Sequence, residues 1–353
     1  VESPRAPATL ADVAEQAGVS RQTVSNAINN PDLLRPDTLA RVQAAIDALG
    51  YSPNHAARQL RTRSSRLVGL RLTPSQEFTA NMAMDRFNRS LVEACREVGY
   101  HVLLFSGGPA EEGQRPDPLG GYDDLLRSTA VDAFVVTDTY LGNPQTSGLA
   151  RRRAPFVAFG RPWDDPGARH PWVDVDGAAG VRLATEHVHG LGHRRIAWLG
   201  WEPGSWIGED RRAGWHAAMD DLGLMTAGLE AAVADDVLEG GRAAAALLDV
   251  EEHRAPTAFV CASDTLAVGA RGALADRGLV PGRDVAVVGF DDSQVAQVLG
   301  LTSVRQPLEA VAVAIVRALT DLLSGEPSPA EGLLLAPSLE VRASSGSSDS
   351  ERA

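Results

Sequence analysis

Apolar positions in the first fifty residues recur at helical spacing. Leu10, Val13 and Ala14 fall on one face behind Thr9, which can cap a helix. Gly18 then supplies a sharp turn and Val19 an apolar plug, and Ser20 caps a second helix running to about Ile28 with Thr23, Val24 and Ala27 inward. A third helix, about Asp37 to Leu49, carries Leu39, Val42, Ile46 and Leu49 as one stripe. From Leu67 onward the pattern changes. Short apolar runs at Leu67–Leu70, His101–Phe105, Ala133–Val136, Phe156–Phe159, Arg195–Leu199, Thr257–Val260 and Val285–Phe290 alternate with amphipathic helical stretches such as Met82–Val98. That alternation predicts parallel α/β structure, and its length predicts two lobes of doubly wound sheet rather than one. The fold class is therefore α/β with an all-α amino-terminal head.

Composition adds a compartment and removes some chemistries. With 353 residues, 44% hydrophobic and 22% charged, the chain has the balance of a soluble globular protein. No apolar run reaches the roughly 18 residues a membrane helix needs, and Val1–Ala8 lacks the order of a secretory signal, so the expected compartment is the cytoplasm. Cys95 and Cys261 stand apart without metal or redox spacing and are expected as reduced, buried thiols. The net charge of -13 opposes binding to a polyanion, but its distribution does not. Residues 1–66 hold eight arginines against six acids, a net of +2, which leaves -15 on the remainder. Four of those arginines lie between Arg58 and Arg66 with no acid among them, and the chain contains no lysine. Arginine favours planar, two-pronged contacts to phosphate and guanine.

Outward on the second helix stand Arg21, Gln22, Ser25 and Asn26, long or amide side chains suited to base edges in a major groove. The runs from Leu10 to Asn26 and from Thr38 to Asn54 closely resemble the head of the LacI/GalR family of transcription regulators. The resemblance implies a sequence-specific DNA-binding regulator, read here as a repressor. It implies DNA contacts at Thr9, Ser20, Arg21, Gln22, Thr23, Ser25, Asn26, Asn29, Tyr51, Asn54, Ala57, Arg58, Leu60 and Arg61. Asn54–Leu60 would be a hinge helix, too short to hold alone, with Leu60 wedged between base steps. Two positions depart from the family pattern. Asn26 stands where arginine is common, and Arg35 before Pro36 where a serine cap is usual; the first bears on operator preference, since asparagine suits adenine and arginine guanine.

In the body, Leu191–Ala197, Asp210–Trp215, Cys261–Gly269 and Val287–Asp292 extend the resemblance, which implies a periplasmic-binding-protein-like body with a sugar bound between its lobes. Arg211 and Asp291 match the family's effector-binding arginine and acid, and Ser263 with Asp264 its cleft-edge pair. Arg161 follows a strand end and is expected to clamp a ligand oxygen, while Phe78, Trp163 and Trp206 are expected in loops as stacking faces. No dinucleotide or phosphate-binding glycine loop and no nucleophile elbow is present, so the chain is read as a non-enzyme without cofactor. His187, His189 and His193 do not share a helical face and are read as structural rather than metal-binding.

The expected division is a head at 1–52, a hinge at 53–65, one lobe at 66–164 and 305–325, the other at 165–304 and 326–342, and a disordered tail at 343–353. The tail has no leucine heptads, so the expected assembly is a homodimer on a roughly palindromic operator. A solute-binding protein of a sugar transport system is the alternative; it shares the body but predicts an export signal and no basic head.

Overall fold

The structure, a computed structural model, describes residues 8–51, 64–72, 82–107, 117–163, 165, 167–326 and 332–346, with Asn29 described in its backbone only. The chain divides into two compact units, Val1–Ser65 and Arg66–Ala353.

Among its described residues the head has three helices, α1 (Leu10–Ala17), α2 (Arg21–Asn29) and α3 (Pro36–Leu49), with a 3-10 turn at Pro31–Leu33. Thr9 and Asp12 cap α1 reciprocally: the Thr9 amide donates to the Asp12 carboxylate at 2.8 Å and the Asp12 amide to Thr9 Oγ1 at 3.4 Å. Gly18 ends α1 in the left-handed region at φ 64°, which lets the Val19 amide turn back to the Ala14 carbonyl at 3.0 Å. Ser20 caps α2 by accepting from the Thr23 amide at 3.1 Å. Arg35 makes no side-chain cap on α3; Pro36 at the first helical position compensates, because its missing N–H needs no partner there. Val13, Val24 and Val42, one from each helix, are fully buried and meet in one small core.

Among the described residues the body holds twelve strands: β1 (Leu67–Arg71), β2 (His101–Phe105), β3 (Ala133–Val136), β4 (Phe156–Phe159), β5 (Trp172–Val175), β6 (Ile196–Trp201), β7 (Glu230–Val233), β8 (Ala258–Cys261), β9 (Ala286–Phe290), β10 (Thr302–Arg305), β11 (Leu333–Leu335) and β12 (Ser338–Glu340). They form two six-stranded sheets, ordered β11-β5-β4-β3-β1-β2 and β12-β10-β9-β8-β6-β7. Every pairing is parallel except β10 with β12. The helices between are α4 (Met82–Glu97), α5 (Gly120–Arg127), α6 (Pro144–Arg151), α7 (Gly177–Gly190), α8 (Trp206–Asp221), α9 (Val237–Leu248), α10 (Asp264–Ala275), α11 (Gln294–Val298) and α12 (Leu308–Ser324).

Both faces of the first sheet are covered, one by Phe87, Leu91 and Ile315 and the other by Tyr122 and Leu149. The second sheet carries the larger core, with Trp198, Trp215 and Phe259 buried. Among the described residues no helix is long and apolar enough to cross a membrane.

The lobe boundaries expected from sequence need correction. Trp172–Val175 belongs to the first sheet, between β4 and β11, so the first crossing follows Val175 rather than residue 164. The second crossing follows β10; α12 then returns to pack on the first sheet and β11 joins that sheet, so the third crossing falls between Leu335 and Ser338 rather than at residue 326. The physical reason at the first crossing is that Asp174 interrupts an apolar run that is nonetheless a strand, its carboxylate accepting from the Val175 amide at 2.8 Å; at the third, the strand Leu333–Leu335 is only three residues long. The tail also differs. Ser344 and Ser345 are buried: Ser344 Oγ accepts from the Thr302 amide at 2.8 Å and Ser345 Oγ meets Thr302 Oγ1 at 2.7 Å. Residues 343–346 are thus packed into the body, and residues 347–353 lie outside the described residues.

Gly18 tests the head. A Cβ there meets no atom within 4 Å, so only the left-handed backbone opposes it. Gly18→Ala should weaken the head by about 1–2 kcal/mol, seen as faster hydrogen exchange at the Val13 and Val24 amides with body amides unchanged.

Candidate functional site

A cavity of about 140 Å³ opens where strands of both sheets end. Parallel strands deliver side chains to that edge: Thr137 and Asp138 follow β3, Phe159 closes β4, Asp174 lies in β5, Trp201 closes β6, and Asp235 and Asp291 follow β7 and β9.

Arg211, in the second turn of α8, is 5% exposed, and burial lowers its hold on its proton. Its guanidinium stacks 3.7 Å from the Phe290 ring centre and 5.1 Å from that of Trp201, and Nη1 donates to the Ala262 carbonyl at 2.5 Å. Nη2 stands 3.8 Å from Asp291 Oδ1, and Nε has no hydrogen-bond partner among the described residues. Gly177 gives α8 room to approach, since a Cβ there would sit 3.1 Å from Arg211 Cγ.

Asp291 and Asp292 both take positive φ, 111° and 50°, a strained pair for residues with side chains. Asp291 Oδ1 accepts from Gln306 Nε2 at 2.6 Å. Burial pushes its carboxyl up to about 7, against the pull of Arg211.

Arg161 reaches between lobes. Nε donates to Asp174 Oδ2 at 2.7 Å and Nη1 to Asp210 Oδ1 at 3.2 Å, and the guanidinium lies 4.8 Å from the Trp163 ring centre. It holds two wall carboxylates rather than lining the cavity itself. Trp163 does line it; the side chain is buried, donates to the Thr139 carbonyl at 3.0 Å and faces Trp206 at 6.3 Å. Trp206 is the first residue of α8 rather than part of a loop, and it touches the cavity only through Trp163.

Ser263 and Asp264 were expected at the cleft, and neither lines the cavity. Ser263 caps α10, accepting from the Leu266 amide and donating to Asp235 Oδ1 at 2.5 Å. Asp264 takes Ser303 Oγ at 2.6 Å and the Ser293 amide at 2.7 Å, tying α10 to β10, and burial pushes its carboxyl up to about 6. Phe78 lies outside the described residues. Sequence reasoning missed Asp138, Asp174, Asp210, Asp235, Trp201 and Gln306 in the wall. Their signal was positional: each sits at a strand end or at the start of a helix facing that edge. His187 and His193, set aside as metal ligands, bond Ser345 Oγ at 2.9 Å and Thr257 Oγ1 at 3.1 Å.

On the head, Arg21 and Gln22 are exposed in the first turn of α2. Gln22 Nε2 donates to Asn26 Oδ1 at 3.0 Å, so the two amides present one linked polar edge. Thr23 meets the Ser20 hydroxyl at 2.9 Å, Ser25 is half-buried on the same helix, and Tyr51 packs half-buried on the head core. Asn54, Ala57, Arg58, Leu60 and Arg61 lie outside the described residues.

A helix-turn-helix head on a two-sheet body with a cleft at its strand ends defines a DNA-binding regulator with a small-molecule sensor. Residues 9–54 match the lacI family of bacterial regulatory proteins and residues 185–345 a periplasmic-binding-protein-like domain. The transcriptional regulator CelR of Thermobifida fusca is 35% identical over 95% of this chain and 98% of its own. Among solved structures, the lac repressor dimer bound to operator and the anti-inducer ONPF superposes with a TM-score of 0.78 at 26% identity, covering 97% of this chain and 100% of that one. A CelR–cellobiose complex gives 0.69 at 31% identity, covering 96% and 99%. The chain belongs to the lacI family of transcriptional regulators.

The Asp291 carboxyl makes a pH test. Its folded-state value lies above the ordinary 3.8, so the fold favours the neutral acid; that contribution is full below about pH 4 and is lost as pH rises through about 7. Asp291→Asn should therefore gain stability relative to the parent protein between pH 5 and pH 8, read by urea unfolding at each pH. A constant difference across that range would contradict the burial of this carboxyl.

Proposed function

We propose that the chain is a homodimeric repressor whose affinity for a roughly palindromic operator is set by a sugar held in the cavity between its two sheets. The observation that carries this reading is the cavity beside Arg211 and Asp291, in a chain that also bears a helix-turn-helix head. Arginine donates and aspartate accepts, the pairing that vicinal hydroxyls satisfy, and Trp163 and Trp201 supply flat apolar walls for a sugar ring. The CelR–cellobiose complex and the operator-bound lac repressor dimer support both halves of the reading. The head disfavours a transport protein, and the relatives are transcriptional regulators rather than enzymes.

In this mechanism α2 enters the major groove and Arg21 and Gln22 read base edges, with Asn26 holding Gln22 in place. Sugar binding draws the lobes together around Arg161, which already touches a carboxylate on each. Lobe closure then changes the spacing of the two heads in the dimer. Coupling of this kind is reciprocal, so operator DNA changes sugar affinity by the same factor.

The charge of the wall narrows the ligand. Asp138, Asp174, Asp210, Asp235 and Asp291 face the cavity against Arg211, with Arg161 just behind. A phosphate or carboxylate would enter a field of its own sign.

Melting-point shifts with glucose, galactose, cellobiose and maltose, each beside its phosphorylated or uronic counterpart, test the effector reading. At least one neutral sugar should raise the melting point, and the anionic forms should not. Failure of every sugar, or a preference for the anionic ones, counts against it. On the DNA side, Arg21→Ala should cost about 1–3 kcal/mol of operator affinity and flatten base preference at one position of each half-site, measured by quantitative selection from a randomised operator. Retained preference would remove Arg21 from the reading surface.

A further inference from the structure

Asp292, beside the cavity acid, faces away from the cavity and is the most completely enclosed carboxylate of the turn, with its side chain 1% exposed. Arg342, just beyond β12, donates from Nη2 to Asp292 Oδ1 at 2.5 Å and from Nη1 to the Leu301 carbonyl at 2.7 Å. Gln297 and Arg305 reach Asp292 Oδ2 only at 3.4 and 3.5 Å. The close, charged contact is therefore the one from Arg342. The turn's backbone is fixed as well, since the Asp291 amide donates to the Val304 carbonyl at 2.8 Å and the Asp292 amide to Ser303 Oγ at 3.0 Å.

Two consecutive residues at positive φ do not hold that shape unaided. Rotation of Asp292 would carry Asp291 with it, and the Asp291 carboxylate would leave its place beside Arg211 and Gln306. Arg342 is itself anchored from behind. Its amide donates to Thr302 Oγ1 at 2.8 Å, and Ser344 bonds both the Thr302 amide and the Val287 carbonyl, at 2.8 and 2.6 Å.

We propose that Arg342 is a positioning residue for the effector: clamped on Asp292, it holds the strained turn that aims Asp291 into the cavity. This inference rests on the cavity being the effector site. It makes residues 342–345 part of the sensor rather than a trailing tail.

The test uses the full-length dimer and whichever of glucose, galactose, cellobiose or maltose raises the melting point of the parent protein most. By isothermal titration, Arg342→Gln should weaken that sugar at least tenfold, with the binding stoichiometry and the sugar-free operator affinity unchanged. Arg342→Lys, which keeps the charge, should recover most of the loss. If Arg342→Gln alone fails to fold around the buried Asp292 charge, the double variant Asp292→Asn, Arg342→Gln removes that charge and should show the same loss. Unaltered sugar affinity in the variants would overturn the inference while leaving the effector reading intact. So would a fall in binding-competent protein at constant affinity, the mark of a purely structural role. If the parent protein binds none of the four sugars, the effector reading fails first and this inference with it.

Discussion

A guanidinium taken out of water at the edge of a parallel sheet is the constraint around which the sensor is arranged. Burying such an ion costs several kcal/mol unless its surroundings replace the lost hydration. Around Arg211 they do so only in part. The ring faces of Phe290 and Trp201 and the Ala262 carbonyl take up some of the charge, and Asp291 stands just beyond hydrogen-bond distance. Asp235, Asp210 and Asp174 add attraction from further away. The orphaned Nε and the raised Asp291 carboxyl both express incomplete compensation. A ligand offering hydroxyl groups would supply what is missing, since each hydroxyl both accepts and donates.

That arrangement depends on topology. The chain passes between the sheets three times, at Val175–Gly177, Arg305–Leu308 and Leu335–Ser338, so strand ends of both lobes contribute to one cavity wall. Close packing of α7 on α8 sets Arg211 at the right depth: a Cβ at Gly214 would fall 2.3 Å from the Ala178 carbonyl oxygen. The head needs none of this. Its core closes on Val13, Val24 and Val42, and its caps and turns are local.

Legibility in the sequence followed the same division. The head was readable almost to the residue because Thr9, Gly18 and Ser20 do their work within a few positions of where they stand. In the body, strands written as unbroken apolar runs, such as Ala133–Val136 and Ala286–Phe290, were visible, whereas Trp172–Val175 and Thr302–Arg305 were hidden by polar residues. Those polar residues are satisfied by partners distant in the chain, as Ser303 is by Asp264. Missing Trp172–Val175 misplaced the first crossing, and missing the short strand Leu333–Leu335 misplaced the third. Of the residues expected to bind an effector, Arg211, Asp291 and Trp163 line the cavity. Ser263 and Asp264 are expected there only through the family resemblance, whereas here their side chains cap α10 and tie it to β10.

Trp163 and Trp201 line the cavity and Trp206 packs on Trp163, so half of the six tryptophans report on its occupancy. The most direct measurement is intrinsic tryptophan emission of the full-length protein during titration with the four neutral sugars, in the parent and in Arg211→Met. A saturable spectral change in the parent that disappears in a folded Arg211→Met protein is the predicted result. The same change persisting in Arg211→Met would place sugar binding elsewhere and contradict a sensor arranged around this buried cation.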